Sequence, residues 1–135
     1  MPRGTDPALH LKLGPGGLSD VEWVVQLLQL RHAGAVPELR TTRTLAGLVA
    51  AVNAGLVTHE DATVLARAWR LASQIRDAVV LVRGRPGDVL PARASELAAV
   101  ASVLGYPSGG AQDLMQDYRQ AARRARAVME RLFYG

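Results

Sequence analysis

Residues 10–30 read HLKLGPGGLSDVEWVVQLLQL, and the organisation of the chain turns on this stretch. His10 to Leu13 alternates polar and apolar residues, which suits the end of a strand, although such a stub cannot stand as a sheet by itself. A Gly-Pro-Gly-Gly turn follows, with Gly14, Gly16 and Gly17 as its glycines. Ser19-Asp20-Val21-Glu22 then fits a capping box, with Ser19 at the N-cap and Glu22 three residues on. Asp20 and Glu22 also suit the positive end of a helix dipole. Val21, Val24, Val25 and Leu28 recur at helical spacing, and Trp23, Leu27 and Leu30 widen the apolar surface. The stretch therefore runs from an extended stub, through a tight turn, into a helix.

That reading constrains the chemistry. Backbone N–H groups at a helix start can hold an anion, yet the turn matches neither a P-loop nor a full G-x-G-x-x-G. A turn that needs glycine torsions explains it more simply. Asp20 and Glu22 would share a metal ion on a strand; on a helix they lie about 200° apart and cannot converge. The capping box puts them on a helix, so they are read as a cap and not as ligands.

Downstream, the pattern is helical throughout. A second helix starts near Thr41 or Thr42, carries Leu45, Leu48, Val49 and Val52 on one face, and ends at Gly55. Thr58 caps a long third helix reaching about Arg83, with Glu60 and Asp61 in its first turn and Gly84 as its stop. Its core stripe is Val64, Leu65, Ala68, Ala72, Ile75, Val79 and Val82; its polar face is Glu60, Arg67, Arg70, Gln74 and Asp77. A fourth helix runs from about Ala92 to Leu104, and a fifth carries Leu114, Met115, Tyr118, Ala122, Ala125, Met129 and Leu132. No strand is evident beyond residue 18. The expectation is an all-α bundle of about five helices over residues 19–135, preceded by a short extended stub over residues 1–18 that reads as a junction from a preceding domain.

Composition narrows the function classes. The chain has 135 residues, enough for one domain with a real core. It has no cysteine, which removes disulfides, thiolate catalysis and cysteine-based zinc sites. His10, His32 and His59 do not stand at ligand spacing, so no metal site is expected. No G-x-S-x-G occurs. No apolar run reaches the ~18 residues of a membrane span and no signal peptide is visible, so the expected compartment is the cytoplasm, with no membrane partner. The net charge is +4, with a single lysine, Lys12, among sixteen basic residues. Only 4% of residues are aromatic, which leaves no base-stacking platform and argues against nucleic acid. Arg119, Arg123 and Arg126 line one side of the last helix; they read either as a solvated face, diluted by Asp113, Asp117 and Glu130, or as a face for an acidic partner. Trp23 and Trp69 suit a core or a domain interface better than ligand stacking.

The opening segment resembles the junction motif of glutamine synthetase adenylyltransferase, the bifunctional adenylyltransferase and adenylyl-removing enzyme. There a K-x-G-x-G-G-[IL]-x-[DE]-[IV]-E-[FW] stretch leaves a nucleotidyltransferase domain and enters a helical bundle. Lys12, Gly14, Gly16, Gly17, Leu18, Asp20, Val21, Glu22 and Trp23 match it in order, and the ending RRARAVMERLFYG is similar to that of members from high-GC bacteria. Three positions depart from the pattern: His10 stands where the family often has Asp, and Ala72 and Ser73 stand where Leu-Arg is usual.

The resemblance implies a parent enzyme with two nucleotidyltransferase halves, each followed by helices. One half transfers AMP from ATP, with Mg, to a tyrosine of glutamine synthetase; the other removes it by phosphorolysis. Glutamine and the PII signal protein control the balance. This chain resembles the helical domain after the transferring half. Its implied partners are glutamine synthetase, PII and its own nucleotidyltransferase domain. The family's metal-binding G-S…D-x-D pattern is missing, so the segment is expected to hold no catalytic residue, metal or cofactor of its own. Lys12, Gly14, Gly16 and Gly17 would stand at the edge of the nucleotide pocket. Two alternatives are a docking module for PII and a helical module of a PII uridylyltransferase-like enzyme, a sister family with a similar junction.

Overall fold

A computed structural model describes residues 7–134; the first six residues of the expected stub and Gly135 lie outside it. It contains five α-helices: α1 Leu18–His32, α2 Thr44–Asn53, α3 His59–Arg83, α4 Ala94–Val103 and α5 Ala111–Phe133. Single 3-10 turns occupy Pro7–Leu9 and Pro37–Leu39. No strand occurs among the described residues. The expected strand end at His10 is reduced to one antiparallel bridge with Val89, framed by Leu11 N–H donating to the Asp88 carbonyl and Leu90 N–H to the Leu9 carbonyl. One bridge pins the stub to the α3–α4 loop, because the chain turns at Gly14 before any further pairing forms.

Local chemistry sets most helix ends. The Thr58 hydroxyl accepts from Asp61 N–H at 3.1 Å and starts α3. Gly84, at φ 73°, ends α3 in the left-handed conformation that a side chain resists. The start of α2 is later than the threonines suggest. Pro37 opens a 3-10 turn instead, and the Gln29 amide donates to the carbonyls of Leu39 and Thr41, holding that segment against α1.

Helices α3 and α5 run antiparallel as a spine, and the apolar interior divides along it. At one end, Val21, Val24, Val25 and Leu28 of α1 meet Leu48 and Ala51 of α2, Leu65 and Ala68 of α3, and Ala125, Val128 and Met129 of α5. At the other, Leu11, Leu90, Leu97 and Val100 pack with Ile75 and Val79 of α3 and with Leu114 and Tyr118 of α5. Trp69 and Leu71 touch both clusters. Alanines on the facing sides of α3 and α5 let the two backbones approach closely. Val64 and Val82, expected in the stripe, are only half-buried, while Asp61 is buried beside Ala62.

Candidate functional site

The glycine turn and the arginine side of α5, separate features in the sequence, form one surface. A Cβ placed on Gly16 would lie 1.8 Å from the Ala122 carbonyl oxygen, so the turn presses backbone to backbone against α5. Asp20 ties the two sides together. One of its carboxylate oxygens accepts from Gly16 N–H at 2.6 Å and from the Arg126 guanidinium at 3.1 Å. Arg126 also donates to Glu130 at 2.8 Å; these carboxylates hold it cationic, its pKa pushed further up, with Glu130 the larger cause. Beside them, Pro15, Arg119, Arg123, Arg126 and Glu130 border an apolar-floored depression of about 410 Å³.

The cap differs from the expected capping box. Gly17, not Ser19, is the N-cap of α1, and it has no side chain to offer. Ser19 falls at the second helical position and Glu22 at the fifth, too far along to reach back. Asp20, at the third position, reaches back to Gly16 N–H instead and takes the place an external anion would use.

The turn's other amides are also engaged. Leu13 N–H donates to the His10 ring Nδ1 at 3.0 Å. Gly14 N–H donates to the His10 carbonyl, Gly17 N–H to Gly14, Leu18 N–H to Leu11, and Ser19 N–H to Lys12. With Gly16 N–H on Asp20, the donors from Leu13 to Ser19 all have internal acceptors, Pro15 having none to give. The turn is closed as an anion cradle, and Lys12, exposed at its edge, supplies the remaining positive group. His10 is buried in this network.

Among the described residues no three His, Asp or Glu side chains gather where a metal ion could be held. No helix among them is long and apolar enough to cross a membrane. Beneath the Asp20 cap lies Tyr118. Its hydroxyl is buried without a hydrogen-bond partner, and burial, reinforced by the Asp20 charge, pushes its pKa to about 12. Of the two residues expected in a core or a domain interface, Trp69 is half-buried against both clusters, whereas Trp23 is 45% exposed, in line with Leu30 at 80%, on the outward side of α1. Leu13, in the turn, is exposed as well.

Two connections had no signal in the sequence. Arg131 grips the buried Asp61 with both terminal guanidinium nitrogens, at 2.6 and 3.0 Å across 70 residues. Its hydrogen bonds hold the Asp61 carboxyl below the usual range against the opposing effect of burial. The Tyr106 hydroxyl donates to Asp117 at 2.6 Å, bracing the α4–α5 loop.

Comparison with known proteins follows the same outline. The family model described as GlnD PII-uridylyltransferase matches residues 4–133. Among curated relatives, the bifunctional glutamine synthetase adenylyltransferase/adenylyl-removing enzyme of Streptomyces avermitilis is 59% identical over 135 residues, all of this chain and 14% of the relative. The same-named proteins of Streptomyces coelicolor and Nocardia farcinica are 59% and 52% identical, over 99% and 98% of this chain and 13% of each relative. The chain thus spans about one-seventh of the relatives it matches. An all-helical fold entered through a closed glycine turn, matched by the family model over nearly its whole length, belongs to the GlnD PII-uridylyltransferase domain family, in the form carried by glutamine synthetase adenylyltransferases.

Proposed function

We propose that this chain is the noncatalytic helical domain that follows the transferring half of a cytoplasmic glutamine synthetase adenylyltransferase/adenylyl-removing enzyme. The parent would transfer AMP from Mg-ATP to a tyrosine of glutamine synthetase and remove it under PII control. The observation that carries this reading is α1. Val21, Val24 and Leu28 on its inner side are buried in the core, yet Trp23 and Leu30 stand exposed on its outer side, and a helix with large apolar residues on both sides belongs between two bodies. In a chain one-seventh the length of its relatives, the second body is the adjoining nucleotidyltransferase domain.

The residues present do not fit a metal-nucleotide site. The turn amides are spent internally and no carboxylate cluster is available among the described residues. The reacting groups of the transfer therefore belong to the nucleotidyltransferase domain. Gly14, Gly16 and Gly17 fix how the bundle sits against it, and Lys12, Arg119 and Arg123 supply positive charge at that rim. The family model's description favours one second reading, in which the same helices dock PII.

The test is complementation. The enzyme truncated before this segment is supplied with the segment in trans, and Mg-ATP-dependent AMP incorporation into glutamine synthetase is followed. Restored transfer supports the proposal. A truncated enzyme that transfers AMP unaided but no longer responds to PII would replace it with the docking reading.

A further inference from the structure

A second concave surface lies between α2 and α3, away from the glycine turn. It is a groove of about 420 Å³ whose floor includes Val49, Val52 and Ala66 and whose rim carries His59, Arg67 and Arg70. Val49 is 60% exposed there, at a position the helical pattern assigns to an apolar face. No carboxylate lines the groove. Of the two acidic residues in the first turn of α3, Glu60 lies outside the lining and Asp61 is committed to Arg131. Neither Arg67 nor Arg70 has a salt bridge or hydrogen bond among the described residues.

This contrasts with α5, where Asp20 and Glu130 already balance Arg126. An arginine pair without a salt-bridge partner among the described residues, flanking an open apolar floor, is complementary to one kind of surface: a segment with apolar side chains on one side and carboxylates along its edge. We infer that the α2–α3 groove receives such an acidic amphipathic segment of the substrate protein, with Arg67 and Arg70 pairing its carboxylates. The inference rests on the proposed function, which names glutamine synthetase as that substrate.

Initial rates of AMP transfer by the intact enzyme, measured against glutamine synthetase concentration, test it. Arg67→Glu/Arg70→Glu should raise KM for glutamine synthetase about tenfold, leave kcat and KM for ATP in place, and lose most of its effect in high salt. Val49→Asp, which sets a carboxylate on the floor, should shift KM the same way without salt relief of the lost apolar contact. Arg85→Glu, a surface reversal outside the groove, should change neither parameter. Both groove variants lie on exposed positions, and circular dichroism confirms folding. An active wild-type enzyme whose KM for glutamine synthetase is unmoved by both groove variants overturns the groove alone. Wild-type enzyme that transfers no AMP to glutamine synthetase overturns the proposed function, and the groove assignment with it. Self-association of the wild-type chain that the arginine reversal abolishes would identify a second copy as the occupant and also overturn the inference.

Discussion

At the scale of single residues, the start of α1 shows what a short motif can and cannot specify. The S-x-x-E pattern locates a helix start to within two residues, because serine and early acids suit any helix N-terminus. It assigns the bonds to the wrong atoms, because Gly17 takes the N-cap and Asp20 is positioned by Arg126, 106 residues away. The two readings separate experimentally. Ser19→Ala should change unfolding free energy by less than about 0.5 kcal/mol. Asp20→Ala, which frees Gly16 N–H and one side of Arg126, should cost about 1–2 kcal/mol in urea denaturation. The reverse ranking would restore the capping box.

At the scale of elements, the helices were legible wherever the signal was local. Thr58, Gly55 and Gly84 mark ends by backbone requirements that their own residues express. The long-range partner of α3 was not legible, since nothing near Asp61 announces Arg131. This pair gives α3–α5 docking a pH dependence. Arginine hydrogen bonds lower the folded Asp61 pKa from its ordinary 3.8. Its contribution is therefore complete above that unfolded value and disappears as pH falls through the lower folded one. Asp61→Asn should flatten the acid side of the stability profile in that window. At pH 7, Asp61→Ala should cost about 1–3 kcal/mol. A variant with the wild-type acid slope would mean the pair contributes nothing.

At the scale of the whole molecule, composition and helical period gave the all-α architecture. Trp23 was legible as a core or interface residue but not as one or the other, because periodicity counts apolar positions and does not say what covers them. The structure buries Val21, Val24 and Leu28 and leaves Trp23 and Leu30 facing out. Trp23→Ser/Leu30→Ser should therefore alter the chain's own stability by less than about 0.5 kcal/mol, while lowering its ability to restore transfer in trans about tenfold. A large loss of melting temperature would show instead that this side of α1 belongs to the core.

The contact between Gly16 and Ala122 has an evolutionary and genetic consequence. Gly16→Ala meets a carbonyl oxygen, a carbonyl carbon and a Cα, all backbone, and does so at φ 73°. No shortening of a neighbouring side chain can relieve it. Suppressors of Gly16→Ala should therefore be absent at position 122 and arise, if at all, where they shift α5 as a body. Gly55→Ala, at φ 75° with nothing within 4 Å, should be tolerated with its torsional cost alone. One glycine is thus irreplaceable because of its neighbour, and the other is merely preferred.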